Sequence, residues 1–461
     1  MIRISNQEKL NELNFKSDRQ NIMSSAISQF QKAYLAIGVV MLLVVSGLIA
    51  TPAQAQTPAA PQDEPKALTG ATIHTGTGNV IEDATILFED GKITEIGTNV
   101  DIPEGTSETD VSGKQIYPGL VDAYSQMGLY EIGAVDVTVD LQEYDRINPN
   151  VRAAVAFNPE SRHIGVARSN GVLTSVSAPG GGLISGQSSV MMMDGWSWES
   201  MTIKPSAGLI VNWPSPDDEN EYEEEIKELR DTFDNARAYR TAHRAMDDGE
   251  ADHHDKDSRW EEMIPVFDGD IPVVVNANEL RQIQDAITWA EDEQVELIIL
   301  GGRDAHYVSD HLSRKDIPVI VTSVLTSPNR AWESYDSRYA LPAKLYEAGV
   351  DFAIAGSASA PYANRLPYEA GASVAFGLPE DEAIRAVTQY PAQILGFDDR
   401  VGTLEAGKDA TFLLTDGNPL EYETGIEQAY IEGRDIDMKD AHRQFYEKYR
   451  EKVRQKREAA D

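Results

Sequence analysis

From Ala67 onward the chain sets apolar and polar residues in short alternating runs, each closed by turn-forming residues. ALTGATIHTG (67–76), NVIEDATILFEDGKITEIG (79–97) and TDVSGKQIYPG (109–119) place apolar side chains at alternate positions, the period of a half-buried strand. In Glu89-Asp90-Gly91-Lys92 the Asp-Gly pair predicts a tight hairpin joining two of these strands, because such a turn needs positive φ at its centre. Beyond residue 170 the texture changes. Apolar runs at 171–177, 208–213, 271–276, 295–300, 317–322 and 351–355 alternate with amphipathic stretches such as 279–292 and 329–348. Strands apolar on both faces and separated by helices predict parallel βα units, enough of them to close a barrel. After Leu395-Gly396 the short-strand texture returns in VGTLEAGKDATFLLTDG (401–417) and IEQAYIEGRDI (426–436).

The expected fold class is therefore α/β: a (β/α)8 TIM-type barrel over 114–400, with a small β-sandwich domain formed from both ends of the mature chain, 67–113 plus 401–435. Two insertions interrupt the barrel pattern. Residues 178–198, APGGGLISGQSSVMMMDGWSW, read as a Gly-rich turn and a hairpin, with Met191, Met192, Met193 and Trp196 packing beneath it. Residues 214–257 hold a long acidic helix, EYEEEIKELRDTFDNARAYRTAHRAM, and then the polar stretch DDGEADHHDKD. A final helix is expected in 436–461. Within it, 448–457 carries six bases and one acid, which suits either a solvated helix or docking on an acidic face.

The first 55 residues form a separate object. Residues 36–50, AIGVVMLLVVSGLIA, are an uncharged apolar run preceded by Lys32 and followed by Ala53-Gln54-Ala55. That order is the pattern of a secretory signal peptide over 1–55, with Met23 as an alternative start. An uncleaved anchor is the other reading, although the run is short for a span of about 20 residues. A Pro/Ala linker, 56–66, comes next. The expected location is periplasmic or secreted, with no membrane attachment after cleavage.

Charge and cysteine content then narrow the chemistry. The 461 residues contain 76 acidic and 40 basic side chains, a net charge of −36, and no cysteine. Disulfide scaffolds, thiol nucleophiles, iron–sulfur clusters and cysteine-ligated zinc are excluded. The negative balance argues against nucleic acid as a partner. Without the export segment, 35 basic and 73 acidic residues leave −38 on about 406 residues. No D-x-[DN]-x-[DN]-G calcium loop is present. A carboxylate-dense, halophile-like surface fits the charge better than calcium binding, with an ordinary acidic secreted protein as the alternative.

Three stretches carry a resemblance. Gly113-Lys114-Gln115-Ile116-Tyr117-Pro118-Gly119-Leu120-Val121-Asp122 is one. A second runs from Leu366-Pro367-Tyr368-Glu369-Ala370 through Ala386-Val387-Thr388 to Pro391-Ala392-Gln393-Ile394-Leu395-Gly396. The third is Gly402-Thr403-Leu404-Glu405-Ala406-Gly407-Lys408-Asp409-Ala410. In this order, around an alternating βα region, they resemble the amidohydrolase superfamily, in particular its imidazolonepropionase-like branch. The resemblance implies metal-assisted hydrolysis of C–N bonds, in cyclic amides or imides or in dipeptides. It also implies one or two divalent ions, commonly zinc, at the C-terminal ends of the barrel strands.

The positions that the resemblance assigns to metal chemistry hold other residues. Where the family has x-His-x-His, the chain reads Ala123-Tyr124-Ser125-Gln126. Where a valine-histidine-alanine is expected it reads Val275-Asn276-Ala277. Leu300-Gly301-Gly302 replaces a histidine-glycine, and Gly356-Ser357-Ala358 has alanine at the place of the catalytic aspartate. No strand-four lysine or glutamate can be placed. Tyr124, Gln126, Asn276, Gly301 and Ala358 therefore define the expected pocket. No catalytic residue, metal ligand or cofactor is expected from them, since none supplies an imidazole or carboxylate.

Other candidates are weaker. Arg303 and Asp304 follow the strand that ends near Gly301 and are candidates for orienting a ligand, with helix capping as the alternative for Asp304. His253-His254, among acidic residues, is the one histidine pair. His306 and His311 are five apart, a spacing that does not share a helix face. His74, His163, His243 and His442 read as structural or surface residues. Ser185, Ser188 and Ser189 have no placeable histidine–acid partner, and Gly180-Gly181-Gly182 with Gly186 lacks the lysine of a phosphate-binding loop. Two functions remain open. One is a catalytically degenerate protein that binds a small amide or peptide-like ligand, or pairs with an intact amidohydrolase paralogue or with its own copies. The other is an active C–N hydrolase using an unusual site such as Asp304, Tyr124 or the loop histidines.

Overall fold

The computed structural model describes residues 57–249 and 255–458; the expected export segment and His253-His254 lie outside the described residues. The chain divides into two units, 1–56 and 57–461. Among the described residues of the second unit, sixteen strands form two sheets.

The smaller sheet draws on both ends of this unit. Its strands are β1 (Lys66–His74), β2 (Val80–Glu89), β3 (Lys92–Gly97), β4 (Ser107–Asp110) and β5 (Gln115–Pro118). From the far end come β14 (Phe412–Thr415), β15 (Ile426–Ile431) and β16 (Arg434–Ile436). The order is β16-β15-β14-β5-β1-β2-β3, with β4 beside β1. The two chain ends meet where β5 pairs antiparallel with β14, Tyr117 opposite Leu413. The expected hairpin is present: Asp90 and Gly91 both have positive φ, 50° and 78°. The sheet curls until Ile93 N donates to Lys408 O at 2.9 Å and Ala410 N to Gly91 O at 2.8 Å. Phe88, Phe412 and Tyr430 pack inside it with ring centroids 4.8–5.4 Å apart, a geometry favourable for aromatic pairs.

The larger sheet is the barrel wall. Its strands are β6 (Leu120–Ser125), β7 (Val172–Ser177), β8 (Ile184–Met192), β9 (Thr202–Asn212), β10 (Val273–Ala277), β11 (Leu297–Gly301), β12 (Val319–Val321) and β13 (Phe352–Ile354). Neighbours follow chain order. Val121, Val176, Val190, Ile210, Val274, Ile298, Leu300, Ile320 and Ala353 form one buried cluster inside the wall. The alternate residues Leu173, Val211, Val275, Ile299, Val319 and Ile354 are buried in the cluster that takes in the helices. Burial on both faces is why these runs are nearly continuous in apolar residues.

Two features depart from a uniform βα repeat. β8 pairs antiparallel with both β7 and β9, so the stretch read as a hairpin insertion is a full member of the wall. All nine of its residues are buried. Its serines are tolerated there because their hydroxyls bond backbone: Ser185 Oγ to Gly181 O at 2.8 Å and Ser189 Oγ to Pro205 O at 2.7 Å, which offsets the cost of burying a polar group. The second feature is the closing seam, where no ladder joins β13 to β6 among the described residues. Instead Gly356 N donates to Asp122 Oδ1 at 3.0 Å and Gln126 N to Ala358 O at 2.8 Å. The long acidic helix is present as Glu219–Asp247, capped by Asp218 and anchored by buried Tyr222, Leu229 and Phe233. The basic terminal helix is Ala441–Glu458, with Phe445, Tyr446, Tyr449 and Val453 exposed.

Candidate functional site

The C-terminal ends of β6, β9, β10 and β11 present amides and glycine. Asn276 Nδ2 donates to Asn212 Oδ1 at 3.3 Å, and Asn278 Nδ2 donates to Asn276 Oδ1 at 3.2 Å. Asn212 Nδ2 continues the chain to Gly182 O and Ser185 Oγ, both at 2.9 Å. Three side-chain amides thus run across the ends of β9 and β10 and tie the β7–β8 turn to them. Each amide both donates and accepts, so the chain satisfies polar groups that would otherwise be stranded at a half-buried mouth.

Gly301, at the end of β11, is shaped by this network. Its φ is +89°, and a Cβ there would lie 2.6 Å from Asn278 Oδ1. A side chain at position 301 and the Asn278 amide compete for the same space. Tyr124 is half-buried on β6, and burial raises its phenol above the usual range. Gln126 is held through its backbone by Ala358, and its side-chain nitrogen lies 4.0 Å from where a Cβ on Gly180 would sit.

Arg303 and Asp304 are engaged with protein groups. Asp304 is 4% exposed and accepts both guanidinium nitrogens of Arg330, at 3.0 and 2.9 Å. Its Oδ2 also accepts Leu280 N at 3.1 Å, so it caps the helix Leu280–Glu293 rather than the turn that follows it. Arg303 Nη2 donates to Glu279 Oε1 at 2.9 Å. The remaining described histidines are dispersed. His74 stacks on Tyr117 and bonds Gln115, His163 faces Glu131 O, and His311 and His243 lie 3.9 Å from carboxylates. His442 is exposed on the terminal helix.

Among the described residues, no group of three or more His, Asp or Glu side chains is arranged to hold a metal ion. The donor set at the strand ends consists of carboxamides, a phenol and backbone groups. It does not fit a divalent ion of the zinc type, which takes imidazole, thiolate or carboxylate.

One buried carboxylate inside the barrel wall, on β6, was not singled out from the sequence. Asp122, 0% exposed, closes the barrel seam; its Oδ2 has no hydrogen-bond partner. Burial pushes its carboxyl up to about 7, partly offset by the hydrogen bond from Gly356. Asn212, Asn278 and Ser185 were also missed as members of the amide chain. Their only sequence signal was a polar residue at a strand end, which a turn explains equally well.

The profile of the amidohydrolase family matches residues 335–442. An amidohydrolase, tasK, of Hapsidospora irregularis is 22% identical over 391 residues, 76% of this chain and 39% of that protein. An imidazolonepropionase of Syntrophobacter fumaroxidans is 37% identical over 95 residues, 19% of this chain and 22% of that protein. The chain thus spans well under half the length of these curated relatives. The solved structure of an amidohydrolase from Thermotoga maritima superposes with a TM-score of 0.74 at 27% identity, covering 81% of this chain and 99% of that one. An Xaa-Pro dipeptidase with bound methionine shares the fold at a TM-score of 0.51 and 14% identity, with 81% and 100% covered. In its matched segment and in its fold the chain is similar to the amidohydrolases.

Proposed function

We propose that this protein is a catalytically degenerate amidohydrolase that binds a small amide or peptide-like ligand at the mouth of its barrel, as a receptor or as the partner of an intact paralogue. The observation that carries the reading is the Asn212–Asn276–Asn278 amide chain with Gly301 beside it. These amides present the donors and acceptors that a peptide-like group recognises, and they occupy the space a histidine at 301 would need. The site favours hydrogen bonding over activation of water, because carboxamides neither take a proton near neutral pH nor lower the pKa of bound water. The export pattern at 1–55 and the acidic composition fit a protein of the periplasm or the external medium.

The test is metal analysis of the purified protein after incubation with zinc or manganese, joined to a turnover screen of cyclic imides and dipeptides. Calorimetry then measures binding of the same compounds. Binding without stoichiometric metal or turnover is expected. One metal per chain together with hydrolysis would overturn the reading in favour of an active C–N hydrolase.

A further inference from the structure

A second polar cavity lies beside the barrel mouth, outside the amide chain. After β11 the backbone turns through Arg303 into the short 3-10 turn Ala305–Tyr307. The loop after β12 comes back over this turn, and between them is a cavity of about 150 Å³ whose lining includes the cations Arg303, Arg338 and Lys344 and the carboxylates Asp304 and Glu333; Asp304 is taken up by Arg330, and Glu333 Oε1 lies 3.4 Å from Arg330 Nη1.

Arg338 is the unusual group. It is 8% exposed, yet its Nε and Nη1 have no hydrogen-bond partner. Other shielded arginines, even where an Nε is unpartnered as in Arg168, hold a carboxylate through a short ion pair. Arg168, 2% exposed, pairs with Asp194 at 2.9 Å, and Arg330 holds Asp304 at 2.9 Å. A buried guanidinium remains charged, and one whose N–H groups find no acceptor is costly to keep out of water. Burial and the neighbouring Arg303 lower the Arg338 pKa against the pull of Glu333, Asp304 and Glu369. Ser337 Oγ and His306 Nδ1 are buried without hydrogen-bond partners in the same wall, and Lys344 adds a positive charge.

We propose that this cavity binds a small oxyanion, with Arg338 as the central donor and Ser337, His306 and Lys344 completing the shell. The cavity stands apart from the function proposed for the amide chain. Its volume corresponds to about five waters at roughly 30 Å³ each, room for one carboxylate or phosphate group but not for a whole peptide. Tyr307 and Trp332, exposed at the rim, leave space for an organic acid to extend outward.

The experiment is isothermal titration of the full chain at neutral pH with sodium acetate, inorganic phosphate and sodium chloride at matched ionic strength. Saturable binding of acetate or phosphate at millimolar concentrations or tighter is expected, and the stronger of the two names the ligand class. Arg338→Gln is expected to weaken that binding at least tenfold while unfolding at the same or a higher temperature than the parent in anion-free buffer, since it removes a buried guanidinium whose Nε and Nη1 have no acceptor. Should Arg338→Gln fail to fold, Ser337→Val, which fills the cavity and removes one donor, is expected to weaken binding at least threefold. Absence of saturable oxyanion binding, binding of chloride alone, or undiminished binding in the folded variant would each overturn the proposal.

Discussion

The buried carboxylate at the barrel seam makes a prediction about stability. Asp122 has no solvent exposure, its Oδ1 accepts Gly356 N at 3.0 Å, and its carboxyl titrates near 7 instead of the ordinary 3.8. Because the folded-state pKa is raised, the folded chain binds this proton more tightly than the unfolded chain. The penalty for ionising the buried group is absent below pH 4, grows as pH rises, and is complete above pH 7. At about 1.4 kcal/mol per pH unit, roughly three units amount to about 4 kcal/mol. Asp122→Asn retains an acceptor for Gly356 and cannot ionise. Urea unfolding of parent and variant at pH 4.5, 5.5, 6.5 and 8 measures the difference in stability. That difference is expected to shift in favour of the variant by about 3 kcal/mol between pH 4.5 and 8. Any constant cost of burying the amide drops out of this comparison, and so do the other titrating carboxylates. Parallel stability curves over this range would refute the assignment of a neutral Asp122 to the seam.

Three further outcomes are expected. Gly301→Ala places a Cβ 2.6 Å from Asn278 Oδ1 at a φ of +89°, so it should cost about 1–3 kcal/mol in chemical unfolding. Combining it with Asn278→Gly should recover part of that loss, and strict additivity would show that the two positions do not compete. Asn276→Ala cuts the amide chain at its middle and is expected to destabilise by about 1–2 kcal/mol and to weaken calorimetric binding of amide ligands; unchanged affinity would move the ligand elsewhere. Finally, dense carboxylates at a net charge of −36 repel one another less as salt screens them. The unfolding temperature should therefore climb between low and molar salt, and a flat response would remove the salt-adapted reading.

The amino-acid pattern alone was enough for the architecture. Runs such as 273–277 and 297–301 are apolar on both faces because a barrel wall is buried on both sides, so their period reports burial directly. Asp90-Gly91 announced its hairpin because the turn demands positive φ at both residues. That Tyr124, Gln126, Asn276, Gly301 and Ala358 offer no imidazole or carboxylate was equally plain, since residue identity needs no coordinates. Contacts between distant segments were not legible. β8 lay in a stretch that read as a Gly-rich turn and hairpin insertion, and only the packed wall shows its serine hydroxyls returned to backbone 4 and 16 residues away. Asp122 reads as the end of a motif until Gly356, 234 residues on, donates to it. Arg338 reads as one loop arginine among many until burial leaves its Nε and Nη1 without an acceptor. Local pattern records how each segment meets water, and so it determined the elements and their class. Partnership between polar groups depends on which segments folding brings together, and only the tertiary structure decided which amide, carboxylate and guanidinium stand paired and which stand alone.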